Sequence, residues 1–166
     1  MKAFRNSYPA YLFLYSFYFM STALFTTLIS VYLIGHQYSA SQVSNLVSTA
    51  FFLSMLAQPL FGYINERFGI VKITTLSLVV LMAGVGGFIW APNYFWLTIF
   101  YGLVLLCLNG TAPMMEVFAT QSPYAFGKIR VWGTLGYAAG AHLAGWLYAH
   151  LSPQSVYYCV LVTILL

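Results

Sequence analysis

Residues 8–34 read YPAYLFLYSFYFMSTALFTTLISVYLI, without one Asp, Glu, Lys, Arg or His. A helix needs roughly 20 consecutive, mostly apolar residues to cross the hydrocarbon core of a bilayer. This stretch exceeds that length. Lys2 and Arg5 precede it as they would a signal peptide, but the run is too long for a cleavable apolar region. It reads as a first membrane-spanning helix.

The rest of the chain repeats the pattern. Of 166 residues, 61% are hydrophobic, 19% aromatic and only 5% charged, whereas a soluble domain carries about a quarter charged residues. That balance excludes a water-facing surface. Breaks at 35–41, 62–72, 91–94, 121–127 and 150–154 delimit helices near 8–34, 42–63, 73–91, 94–119, 124–149 and 153–166. Asn93 can cap the fourth helix. Ser122-Pro123 and Ser152-Pro153 each place a capping hydroxyl before a proline whose missing N–H costs nothing in a first turn. The expected fold is an all-α polytopic membrane protein, one six-helix bundle over residues 1–166. From Pro153 to Leu166 a helix covers only about 21 Å of a core near 30 Å, so the sixth span is expected to be incomplete and the chain cut short.

Lys2 and Arg5, Arg67 and Lys72, then Lys128 and Arg130 sit at the N-terminus and the second and fourth loops. The positive-inside bias makes those segments cytoplasmic, which predicts a multi-pass protein of the cell (inner) membrane with a cytoplasmic N-terminus. The formal charge is +4, but basic residues scattered between spans form no nucleic-acid patch. Cys107 and Cys159 lie in apolar stretches without CxxC spacing and read as buried thiols. No HExxH, GxSxG or GxxxxGK[ST] occurs, so no enzyme, metal site, cofactor or ATP-driven pump is indicated.

Gly133, Gly136, Gly140 and Gly145 punctuate the fifth helix, and Gly136 with Gly140 would admit a neighbouring backbone. Gly84, Gly86 and Gly87 in the third helix fit either close packing or a bend.

The chain has two acidic residues, Glu66 and Glu116. Glu116 falls inside an apolar stretch, where an ionised carboxylate needs a partner or water. Arg130 is the candidate, since the fourth and fifth helices are antiparallel across a short loop and place both groups near the same membrane face. Asn109 lies two turns from Glu116 on one helical face, and Tyr137 two turns from Arg130 on another. On the first helix Tyr15, Phe19, Thr22 and Thr26 share a stripe that is either packing or an aromatic face beside hydroxyls. A carboxylate, guanidinium, amide and phenol so gathered suit a polyhydroxylated or aromatic solute. The sequence equally permits a structural ion pair, with Arg130 snorkelling to the interface. His36 and His150 fall at extracytoplasmic helix ends, and His142 lies roughly 120° around its helix from Arg130.

The run Gln58-Pro59-Leu60-Phe61-Gly62-Tyr63-Ile64-Asn65-Glu66-Arg67-Phe68-Gly69, with Lys72 following, resembles the motif between the second and third helices of the major facilitator superfamily. Glutamate stands where the family usually has aspartate, and Val71 replaces one later base. The segments from Asn109 to Glu116 and from Phe126 to Gly133, with Phe17-Tyr18-Phe19 on the first helix, resemble its oligosaccharide:proton symporter, lactose-permease-like branch.

The resemblance implies the N-terminal half of a twelve-helix secondary transporter, with a small polar solute such as a sugar and protons as partners. The lipid bilayer and a missing C-terminal six-helix half complete that set. Glu116 and Arg130 would hydrogen-bond sugar hydroxyls, and Tyr137 would replace a ring-stacking tryptophan. Phe19, Thr22 and Asn109 would line the same cavity, and Gly62, Glu66, Arg67, Gly69 and Lys72 would form a cytoplasmic gate. The Gly-Lys-x-Arg-x-Trp-Gly run from Gly127 to Gly133 also resembles relatives that carry nucleosides or phenylpropionate-like acids, so those solutes stay open. So does a non-transporting membrane interaction protein.

Overall fold

Proline and paired hydroxyls set the first helix. Pro9 occupies the first turn of α1 (Tyr8–Thr26), where its missing N–H leaves no bond unmade. Near the other end the hydroxyls of Ser21, Thr22 and Thr26 bond the carbonyls of Phe17, Tyr18 and Thr22 at 2.8, 3.0 and 2.8 Å. Such back-bonding competes with the helical ladder and bends it. The apolar run is indeed interrupted at Thr27 before α2 (Ile29–Gly35).

The computed structural model describes residues 7–165, so Lys2, Arg5 and Leu166 lie outside the described residues. Beyond α2 follow α3 (Ala40–Phe68), α4 (Ile70–Ile89), α5 (Tyr94–Thr120), α6 (Phe126–His150) and α7 (Ser155–Leu165). Every regular element among the described residues is helical. By length and composition, Tyr8–Gly35, α3, α4 and α5 can each cross a membrane. α6 is 25 residues long but carries Lys128, Arg130, His142 and several glycines, which lower its apolarity. α7 is a shorter apolar helix. Large side chains such as Phe52, Met55 and Leu60 of α3 and Val71, Leu76 and Val79 of α4 are exposed, which only a lipid solvent accommodates at this density. The protein is a multi-pass, all-α membrane protein.

Local chemistry places the ends. Gln37 takes a left-handed φ of 66° after α2, while Tyr38 N–H reaches the Leu33 carbonyl and Gln37 N–H that of Ile34, a glycine-like stop built on glutamine. Ser39 and Gln42 form a reciprocal capping box for α3. Asn93 Oδ1 accepts from Trp96 N–H at 3.2 Å, capping α5 as expected. Ser122 does not start a helix at Pro123: its Oγ donates to Ala119 and accepts from Tyr124 N–H, so it closes the preceding turn and α6 begins at Phe126. The break expected over 62–72 also shrinks. α3 runs through Gly62 to Phe68, because an exposed glycine tolerates helix, and only Gly69, at φ 91°, interrupts it.

The chain divides into two compact units. In residues 30–114, α4 meets α5 where a Cβ at Gly84 would come within 2.9 Å of Val104 and one at Gly87 would collide with the Phe100 ring. Those two glycines therefore serve packing. α5 meets α3 where Phe61 covers Gly110, and the Thr74 hydroxyl of α4 points at Met114 Sδ, 3.0 Å away. The other unit, residues 1–29 and 115–166, packs α1 against α6 and, to a lesser extent, α7. Ser21 and Thr163 hydroxyls are 2.8 Å apart between α1 and α7.

Candidate functional site

The α1–α6 contact is set by missing side chains. A Cβ at Gly136 would run into the Ser16 backbone, one at Gly140 would lie 2.6 Å from the Met20 carbonyl, and one at Gly133 would sit 2.7 Å from the Phe19 ring. Backbones can approach this closely only where Cβ is absent. The expected close approach at Gly136 and Gly140 is thus found, with α1 as the neighbour, whereas Gly145 has open space around it. Polar bonds fix the register: Trp132 Nε1 donates to the Tyr8 hydroxyl at 2.8 Å and Ser16 Oγ to the Trp132 carbonyl at 3.3 Å.

Below this seam lies a small core of Tyr15, Tyr18, Met115, Ala119 and Ile129. Tyr15 is fully buried and its hydroxyl donates to the Met115 carbonyl at 2.9 Å. The stripe Tyr15, Phe19, Thr22, Thr26 therefore divides. Tyr15 is packed, the threonine hydroxyls bond their own helix, and Phe19 alone of the four lines a cavity.

That cavity of about 260 Å³ is walled by Phe19, Glu116, Arg130, Gly133, Thr134 and Tyr137. The end of α5 supplies the carboxylate, α6 the guanidinium, hydroxyl and phenol, and α1 the aromatic ring. Arg130 Nη1 donates to Glu116 Oε2 at 3.3 Å, and the two side chains are 61% and 35% exposed. A tight charge-assisted bond measures about 2.7–2.9 Å, so this pair is long. The Arg130 guanidinium also stands 5.6 Å from the Phe126 ring centroid, a cation–π distance. A carboxylate has about four acceptor sites and a guanidinium five donors, and a loose, open pair leaves much of that capacity facing the cavity. Chemically the site can bind a neutral molecule rich in hydroxyls, with aromatic walls for its apolar face.

Four residues named from sequence, Phe19, Glu116, Arg130 and Tyr137, come together in one cavity. Thr22 does not line it. Asn109 belongs to the 30–114 unit, where its amide donates to Ser54 Oγ at 2.9 Å and Ser54 in turn to the Phe51 carbonyl. Of the residues expected to form a gate, Gly62, Glu66 and Arg67 lie on the last two turns of α3, Gly69 at the reversal and Lys72 on the first turn of α4, all exposed. Arg67 rests over the neighbouring Phe68 ring at 5.5 Å. His142 is exposed on α6, and His36 and His150 each place Nδ1 about one hydrogen bond from a carbonyl of their own last turn, at 2.9 and 3.0 Å.

Sequence reading missed Thr134. The signal was present: it lies four residues after Arg130 and three before Tyr137, the spacing that puts all three on one helical face.

The MFS_1 like family model matches residues 8–166. The chain is 28% identical to the sucrose permease of Escherichia coli over 95% of its own length and 41% of the relative's. It is also 28% identical to the maltose permease of Geobacillus stearothermophilus, over 97% of this chain and 42% of that protein. The chain thus spans about two-fifths of the length of these curated relatives. No solved structure matches it.

Proposed function

We infer the function from one premise: the chain belongs to the MFS_1 like family. On that premise it is the N-terminal part of a secondary active transporter, not an enzyme: a proton-coupled symporter of sugars or oligosaccharides in the cell (inner) membrane, with its N-terminus cytoplasmic. The observation that carries this reading is the long, half-open Glu116–Arg130 pair at a cavity walled by Phe19 and Tyr137. Both named relatives are sugar permeases, which favours sugars over nucleosides or aromatic acids.

Mechanistically, sugar hydroxyls replace cavity water with charge-assisted bonds to Glu116 and Arg130. Tyr137 and Phe19 lie against the ring, whose C–H face is apolar, and Thr134 offers one more hydroxyl. An exposed ion pair is worth only about 0–1 kcal/mol to the fold, so the two charges are retained here for the ligand rather than for stability. Asn109 bonds Ser54 and Thr22 bonds its own helix, and neither lines the cavity, so the receptor centres on the other four residues. Gly62, Glu66, Arg67, Gly69 and Lys72 form the cytoplasmic gate. The carboxyl-terminal bundle supplies the proton carrier and the second wall, and the two bundles rock about the site.

The test is sugar-dependent proton movement by the full-length protein in de-energised cells. Adding sucrose or maltose should alkalinise the medium, and Glu116→Gln should abolish the signal. Uptake of sugar without alkalinisation would remove proton coupling from the reading, and no uptake of either sugar would remove these substrates.

A further inference from the structure

α5 carries Pro113 inside it, three residues before Glu116. Proline has no N–H, so the Asn109 carbonyl loses its usual helical partner and the ladder is weakened one turn before the carboxylate. The last turns of α5 then need another anchor. Tyr15 of α1 meets the requirement: its hydroxyl donates across the helix interface to the carbonyl of Met115, the residue directly before Glu116, at 2.9 Å.

The same ring touches the other walls of the cavity. Tyr15 lies 5.5 Å from Phe19 between centroids, and its Cδ1 would be 3.0 Å from a Cβ at Gly133. It is fully buried and does not line the cavity itself. A phenol bonded to a carbonyl in a low-dielectric interior is a firm tether, and a binding constellation needs such support to hold its groups within about half an ångström.

We propose that Tyr15 is a positioning residue, whose hydroxyl holds the Glu116 end of α5 so that the carboxylate faces Arg130 across the cavity. The proposal rests on the reading of Glu116 and Arg130 as the solute receptor, but its first test does not need a solute.

Glu66 and Glu116 are the chain's two acidic residues. Isotope-labelled glutamate in the 166-residue chain, reconstituted in lipid, gives infrared carboxylate bands from these two side chains, and Glu66→Gln leaves that of Glu116. In this background Tyr15→Phe should move the Glu116 band to the position it takes in Arg130→Ala, without lowering helix content. Tyr15→p-aminophenylalanine, which keeps a donor at the same place, should return it.

In the full-length protein, with sucrose as the probe, Tyr15→Phe should raise Kd about tenfold, the scale of one lost hydrogen bond to an ordered site. An unmoved band in Tyr15→Phe overturns the proposal. Failure of that variant to insert also overturns it, because the bond would then serve the fold itself. If the unsubstituted full-length protein does not bind sucrose, the sugar reading fails while the band still decides the role of Tyr15.

Discussion

Gly136 faces the backbone of Ser16 so closely that the space for a side chain is already filled by the Ser16 carbonyl. Gly136→Ala therefore has to separate α1 from α6, and overpacking of this kind costs about 1–3 kcal/mol. Gly145, on the same helix, has nothing within van der Waals reach of its missing Cβ. Gly145→Ala should stabilise α6 by roughly 0.5–1 kcal/mol. Denaturant unfolding in detergent micelles separates the two, and equal responses would mean that α1 does not pack at Gly136.

A second pair of glycines tests the shortened loop. Gly62 is helical, exposed and has open space around it, whereas Gly69 holds φ 91°. Gly62→Ala should be neutral or stabilising by about 0.5–1 kcal/mol. Gly69→Ala should cost about 1–3 kcal/mol for forcing a side chain into the left-handed region. The same unfolding measurement checks both, and a destabilising Gly62→Ala would return the break to where the sequence placed it.

Orientation is testable by labelling. Single cysteines at Lys72 and Lys128 should react with a membrane-impermeant maleimide only from the cytoplasmic side, and those at Gln37, Asn93 and Gln154 only from the opposite side. Cys107 is buried and should stay silent. Labelling of Lys72→Cys from outside intact cells would invert the topology.

The elements were legible where a residue's chemistry is local. Asn93 capped α5 as its side chain predicts, and the apolar run of residues 8–34 became a nearly continuous helix. The misreadings came from residues whose role depends on context: Gly62 is a breaker only if the backbone needs it, and Ser122 can close one helix or open the next. The Glu116–Arg130 pairing was readable because so few charges occur and a short loop constrains their helices. Thr134 was readable by spacing and was overlooked. Tyr15 was not readable as more than packing, because its partner is a backbone carbonyl 100 positions away, and main-chain acceptors leave no trace in side-chain identity. Asn109 shares a helical face with Glu116, but nothing in that spacing announces Ser54, its partner from α3.

The central claim is that Glu116 and Arg130 are kept to receive a sugar rather than to hold the fold. Sucrose binding to the lipid-reconstituted full-length protein, measured by calorimetry alongside helix content, tests it most directly. Glu116→Gln and Arg130→Ala should each abolish binding while insertion and helix content stay at the level of the unsubstituted protein. Variants that bind sucrose normally, or that lose binding only because they no longer insert, would contradict the account and leave the pair as structure.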